Sequence, residues 1–146
     1  HNFVTHLLEA AFQRDVYQRV DQGEQLQAAD LNAIKRDVLQ SFWGDAVTIN
    51  EGAELTWMRK PHYYMGLYPY TYSAGLTLAT VASKAMETEG GQAVQSWLKA
   101  LKAGGSVDPL GFARLAGVAI ETDVPLRETI ASIGSIIDQI SQLSGD

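Results

Sequence analysis

Apolar residues recur at helical spacing along most of this 146-residue chain, and glycine or proline ends each run. The first run covers Phe3–Val20, the second covers Leu31–Phe42, and the last covers Ile130–Leu143. Spacings of three and four residues place such side chains on one face of an α-helix. The one β-like run, Ala46–Ile49, is too short to make a sheet, and we expect a loop there. The sequence therefore predicts an all-α protein of five to seven helices in a single domain.

Capping residues and prolines predict where some of these helices begin. Asp30 is expected to cap the second helix, and Thr122 or Asp123 is expected to cap the last one. A long helix is expected from Tyr68 to Glu89, ended by a pair of glycines. Pro69 is comfortable only at the first helical position, so this helix must begin close to it.

Charge and composition exclude several classes of protein. The net charge is −6 and no basic stripe is present, which argues against nucleic-acid binding. No apolar run is long enough for a membrane span. The absence of cysteine rules out disulfides and thiolate metal sites and fits a reducing compartment, so we expect a cytoplasmic protein. The chain opens at His1 and its first methionine is Met58, so we expect it to be a fragment of a larger protein.

The stretch Trp57–Gly75 has an unusual composition for a helical protein. It contains His62 and five of the six tyrosines, namely Tyr63, Tyr64, Tyr68, Tyr70 and Tyr72. Tyrosine combines an apolar ring with a hydroxyl that needs a partner once it is buried. Phenols beside one imidazole therefore predict the wall of a polar, partly desolvated cleft. Spacing alone does not name a reaction, and a purely structural cluster is the alternative interpretation.

Other motifs for catalysis or metal binding are missing. The glycine pair Gly104–Gly105 lacks the spacing and the lysine of a phosphate-binding loop, and no G-x-S-x-G is present. His1 and His6 lie five residues apart without the H-E-x-x-H arrangement of a zinc peptidase. We therefore expect these two histidines at the surface and predict no metal site on this chain.

The segment Pro61–Gly75 reads P-H-Y-Y-M-G-L-Y-P-Y-T-Y-S-A-G. It resembles the pattern P-H-[FY]-Y-x-x-[FY]-Y-x-Y-x-Y-A-x-G of oligoendopeptidase F, in the zinc metallopeptidase family of thimet oligopeptidase. The resemblance continues through Asp21–Leu26, Ala79–Lys84, Leu101–Ser106 and Leu110–Val118, and so covers nearly the whole chain.

This resemblance implies that residues 1–146 are the C-terminal helical region of a larger, clam-like peptidase whose deep channel admits short peptides. The family's zinc ligands, from H-E-x-x-H and a downstream glutamate, would all lie before His1. Zinc is thus expected in the parent enzyme and not on this chain, which should be inactive alone. The expected partners are short peptides and the missing N-terminal part of the enzyme, with self-association through exposed apolar surface.

The resemblance also implies roles for single residues. His62 and Tyr70 match family positions that hydrogen-bond the tetrahedral intermediate and are the predicted catalytic residues. Tyr72 is expected to serve packing. The residues expected to bind the substrate backbone are Tyr63, Tyr64 and Tyr68. The alternative function is a non-catalytic helical module that binds peptides or a partner protein.

Overall fold

The computed structural model describes residues 2–145, and the all-α prediction is confirmed there. The six α-helices are α1 (Asn2–Asp21), α2 (Ala28–Trp43), α3 (Tyr70–Glu89), α4 (Gly91–Ala103), α5 (Pro109–Leu115) and α6 (Val124–Ser144). Two 3₁₀ helices, Ala53–Met58 and Pro61–Tyr64, lie between α2 and α3 in the sequence. Residues 2–145 contain no β-strand, and the run Ala46–Ile49 is a loop. Within the same range, none of the helices combines the length and apolar character needed to span a membrane.

The chain divides after Ser73 into two compact units. In the first unit α1 packs against α2, which also contacts the 3₁₀ helix Ala53–Met58. The centre of this unit is formed by Phe12, Ile34 and Tyr63. Partly buried side chains surround them, namely Val16, Leu26, Leu31, Val38 and Trp57. Burying a large apolar side chain contributes roughly 1.5–3 kcal/mol. This core therefore fixes Tyr63, and with it the tyrosine-rich stretch, onto both helices.

Two helices begin differently from their predictions. Asp30 is not the N-cap of α2. The N-cap residue of α2 is Gln27, whose backbone N–H donates to the Asp30 carboxylate at 2.8 Å. An aspartate in the first turn still faces the positive end of the helix dipole. α3 begins at Tyr70 rather than Tyr68, because Pro69 disfavours the helical conformation for the residue before it.

In the second unit α4 packs against α5. The rings of Trp97 and Phe112 meet edge to face, with their centroids 6.1 Å apart. Asp108 caps α5, since its carboxylate accepts a hydrogen bond from the backbone N–H of Gly111. This contact satisfies one of the N–H groups that the start of a helix leaves unpaired.

The start of α6 corrects a second capping prediction. Asp123 occupies the N-cap position, but its carboxylate pairs with Arg127 at 2.7 Å and accepts no backbone N–H. The Thr122 hydroxyl donates to the carbonyl of Ala119 and does not cap the helix either. Further along α6, large apolar side chains are exposed, namely Ile130, Ile136, Ile137, Ile140 and Leu143. The apolar face predicted for this helix is thus present and open to solvent.

Candidate functional site

Residues 60–66, here called the His62 turn, form a tight connection that leads towards α3. Lys60 is extended (φ −97°, ψ 115°), as expected for a residue that precedes a proline. Pro61 then starts the 3₁₀ helix that carries His62. Gly66 has φ +66°, in the left-handed region that glycine occupies without steric cost. The local sequence therefore specifies both the start and the end of the turn.

Polar contacts hold the His62 turn against α1 and α2. Lys60 forms an ion pair with Glu9 of α1. Gln13, one helical turn later, donates to two backbone carbonyls of the His62 turn. From α2, Lys35 Nζ donates to the Tyr63 hydroxyl at 2.9 Å. The turn is thus attached by its backbone as well as by its side chains.

Four rings form a cluster beside this turn, here called the His–Tyr cluster and consisting of His6, His62, Tyr68 and Tyr72. The His62 ring stacks on Tyr68 with centroids 5.4 Å apart, and His6 stacks on Tyr72 at 4.1 Å. The hydroxyls of Tyr68 and Tyr72 are 3.1 Å apart. The Tyr72 hydroxyl lies 3.4 Å from His62 Nε2. A hydrogen-bonded chain therefore runs from Tyr68 through Tyr72 to His62.

The hydrogen-bonded chain formed by Tyr68, Tyr72 and His62 has one N–H or O–H group more than its internal hydrogen bonds use. If His62 Nε2 accepts from Tyr72, then Tyr72 accepts from Tyr68, and the unused N–H is at His62 Nδ1. That atom is buried and has no partner in the described part of the protein. If Nε2 instead donates to Tyr72, the unused O–H belongs to Tyr68. Either tautomer leaves one donor of the hydrogen-bonded chain without an internal acceptor, at the buried His62 Nδ1 in the first case and on the half-buried Tyr68 in the second.

The surroundings raise the pKa of two phenols, Tyr63 and Tyr72. The hydrogen bond with Tyr68 raises the pKa of Tyr72, and burial and the Glu9 carboxylate act in the same direction. Burial also raises the pKa of Tyr63, and Glu9 adds to the shift. The opposite happens at Lys35, where burial lowers the pKa from 10.5 to about 8 although Glu9 opposes the change. The raised pKa values keep the protons of Tyr63 and Tyr72 in place at neutral pH.

The structure brings His62 and Tyr68 together and leaves Tyr70 apart from them. Tyr70 is 50% exposed, and its hydroxyl has no hydrogen-bond partner among residues 2–145. Tyr64 is 68% exposed. These positions are compatible with contact to a substrate, and the roles assigned to all four residues stay predictions.

Tyr63 is placed differently from what the sequence suggests. Its ring is 8% exposed and meets Phe12 edge to face, with centroids 5.2 Å apart. Its hydroxyl already accepts a hydrogen bond from Lys35. This geometry argues against the prediction that Tyr63 binds substrate, because neither the ring nor the hydroxyl is available to a peptide. Tyr63 instead joins the His62 turn to the core of the first unit.

Sequence reasoning missed two members of the His–Tyr cluster. His6 was expected at the surface but is buried, because its ring stacks on Tyr72. His1, for which the same was expected, lies outside the described residues. The Tyr72 hydroxyl takes part in the hydrogen-bonded chain, which is more than the packing role suggested by the sequence. No spacing rule pointed to this contact, because Tyr68 precedes α3 while Tyr72 lies in its first turn.

The residues of the site do not form a zinc site. Across residues 2–145, no three His, Asp or Glu side chains converge on a position for a metal ion. The donors near His62 are phenols, a second imidazole, and a carboxylate that is already paired with Lys60. Zinc needs three or four converging ligands, so this set does not fit the metal. The prediction that zinc is held outside this chain stays a prediction.

Comparison with known proteins identifies the family. The sequence profile of peptidase family M3 matches residues 2–132. The chain belongs to peptidase family M3. It is 28% identical to the oligopeptidase PepF of Bacillus subtilis (strain 168) over 134 residues, which are 92% of this chain and 20% of that protein. It is 24% identical to an oligoendopeptidase F homolog of Borreliella burgdorferi over 141 residues, which are 97% of this chain and 24% of that protein.

A third relative, the plasmid oligoendopeptidase F of Lactococcus lactis subsp. cremoris, is 29% identical over 113 residues, 77% of this chain and 19% of its own length. The resemblance to oligoendopeptidase F seen in the sequence is thus confirmed. The chain spans only about a fifth to a quarter of the length of these relatives. No solved structure gives a significant match to it.

Proposed function

We propose that this chain is the C-terminal part of a zinc-dependent oligopeptidase and supplies one wall of its cleft. This wall binds the substrate and stabilises the tetrahedral intermediate. The observation that carries the proposal is the hydrogen-bonded chain from Tyr68 through Tyr72 to His62, in the same stretch as the exposed Tyr64 and Tyr70. Membership of a peptidase family supports the reaction class.

The chemistry of these groups suits peptide hydrolysis. When the peptide carbonyl is attacked, negative charge grows on its oxygen, and a donor accelerates the step only if its bond strengthens in the transition state. When His62 Nε2 donates to Tyr72, the unused O–H of Tyr68 is one such donor, because each link can polarise the next. The free Tyr70 hydroxyl is a second one. A preorganised donor of this kind contributes roughly 3–4 kcal/mol to transition-state stabilisation.

The proposed substrates are short peptides, with Tyr64 and Tyr68 contacting their backbone. Tyr68 lies against His62 and Tyr72, and Tyr64 is exposed in the same stretch, so a peptide bound along them would present its carbonyl to the site. The proposed partner is the remaining part of the same enzyme, which would hold the zinc.

The longer gene product that includes the residues before His1 is expected to hydrolyse a short quenched-fluorescent peptide. The 146-residue chain alone is expected neither to hydrolyse this peptide nor to bind zinc stoichiometrically at micromolar concentration. Fluorimetry and metal analysis of both proteins check these expectations. Turnover together with tight zinc binding by the chain alone would contradict the proposal. Binding of the peptide by the longer product without hydrolysis would instead identify the non-catalytic module.

The exposed face of α6 predicts self-association of the isolated chain. Ile136 and Ile140 are 53% and 57% exposed, and contiguous exposed apolar side chains favour association. Sedimentation velocity is expected to show species larger than the monomer, and Ile140→Glu is expected to reduce them. Gln139→Glu adds the same charge at a polar, exposed neighbour and is the matched control. A wild-type chain that stays monomeric at high concentration would overturn this prediction.

A further inference from the structure

Three buried polar side chains from α1 and α2 converge on the His62 turn. Glu9 and Gln13 are each 2% exposed, and Lys35 is 3% exposed. Burying such groups is costly unless each finds a partner. Each of them has a partner in the His62 turn, at Lys60, at Tyr63 or at Gly66, while Glu9 Oε2 and Gln13 Oε1 are buried without a hydrogen-bond partner in the described part of the protein. These attachment points are three residues apart along the sequence and place His62 between the first two.

Gln13 makes the contacts that act on the backbone itself. Its Nε2 donates to the Tyr63 carbonyl at 3.2 Å and to the Gly66 carbonyl at 2.5 Å. Because both partners are carbonyl oxygens, only the NH₂ end of the amide can face them. Its two N–H groups thus match two acceptors that lie 50 and 53 residues away in the sequence. No other residue type of this length offers an uncharged group with two such donors.

The two carbonyls bound by Gln13 enclose the segment that directly follows His62. Fixing them sets the direction in which the chain leaves the 3₁₀ helix and returns towards Tyr68. The stacking of His62 on Tyr68 and the approach of His62 Nε2 to the Tyr72 hydroxyl both depend on this direction. The other two buried side chains do not bind the backbone of the turn, because Glu9 binds the side chain of Lys60 and Lys35 binds the hydroxyl of Tyr63.

We infer that Gln13 is a positioning residue, which holds His62 in the hydrogen-bonded chain by clamping the Tyr63 and Gly66 carbonyls. Its relevance to catalysis rests on the proposed function, whereas its effect on the position of His62 does not. Gln13 has no route to a substrate, since it is buried beneath the turn. It acts through His62 alone.

The position of His62 can be measured in this chain by NMR. In the wild type, the His62 ring protons are expected to show nuclear Overhauser contacts with the Tyr68 ring. Gln13→Met has nearly the same length but no donor, and it is expected to lose these contacts while the circular-dichroism signal of the helices stays. Gln18→Met changes an exposed glutamine on the same helix and is expected to keep them. Retained His62–Tyr68 contacts in Gln13→Met would overturn the inference.

A gentler variant covers the case in which Gln13→Met does not fold. Gln13→Asn keeps the amide but is one methylene shorter, so it cannot reach both carbonyls, and the same loss of contacts is expected. In the longer gene product, either variant is expected to lower kcat about 10- to 100-fold with KM within about twofold. Displacement of His62 with unchanged kcat would support the positioning role and contradict the proposed function. An unchanged position of His62 would contradict the positioning role, whatever the activity.

Discussion

Tyr70→Phe in the parent enzyme is expected to lower kcat about 100- to 1000-fold and to change KM little. The substitution removes one hydroxyl and keeps the ring. That hydroxyl has no hydrogen-bond partner among residues 2–145 and lies on a half-exposed side chain, so it is free to donate to a substrate oxygen. Steady-state kinetics with a short quenched-fluorescent peptide measures both constants. His62→Ala is expected to cause damage of similar size.

Three further variants separate this prediction from its alternatives. Tyr17→Phe changes the one tyrosine outside the tyrosine-rich stretch and is expected to keep full activity. Tyr72→Phe is expected to lower kcat by less than Tyr70→Phe, because one neutral hydrogen bond contributes only about 1 kcal/mol. If Tyr70→Phe keeps full kcat while Tyr68→Phe loses it, Tyr68 is the principal donor. If none of these tyrosines affects kcat, the stretch is a structural wall.

Between pH 8 and pH 10 the wild-type chain is expected to gain about 2 kcal/mol of unfolding free energy relative to Lys35→Met. Burial lowers the pKa of Lys35 from 10.5 to about 8 in the folded state. In this window the unfolded chain binds the proton more strongly, so stability rises with pH. Below pH 8 both states hold the proton, and the cost of the buried charge is fully present. Urea unfolding at each pH measures the difference.

The urea unfolding measurements end at pH 10 because a second buried group, Tyr63, affects stability above that pH. Burial raises the pKa of Tyr63, so above about pH 10 the unfolded chain loses the phenol proton first and stability falls as pH rises. Lys99→Met, which makes the same substitution at an exposed position, is the matched control. If the difference in unfolding free energy between the wild type and Lys35→Met does not change with pH, Lys35 is solvated in solution.

The helices were predictable because their signals are local. Apolar periodicity located the end of α2, a glycine pair located the end of α3, and the loop at Ala46–Ile49 followed from the shortness of its apolar run. The errors lie where several local bonds compete. Asp30 and Asp123 are both good capping residues, yet one accepts from the N-cap residue and the other pairs with an arginine. Capping preference alone does not decide between such partners.

The candidate site was predictable only in part. His62 and the tyrosines stand together in the sequence, so their proximity could be inferred from composition. Their supports come from α1 and α2, and the contact between Gln13 and Gly66 spans 53 residues. No spacing rule connects residues so far apart. The burial of His6 likewise depends on the packing of α1 near the start of α3, which periodicity does not specify.

The attachment of the His62 turn through its backbone carbonyls has a consequence for its evolution. Because Gln13 binds main-chain oxygens, the turn keeps its shape without help from the side chains at Tyr64, Met65 and Leu67. These three are 68%, 57% and 54% exposed and have no polar side-chain contact among residues 2–145. Mutations there are under little constraint from folding. Mutations that arise there therefore change the surface beside His62 and leave the attachment of the turn by Gln13 in place.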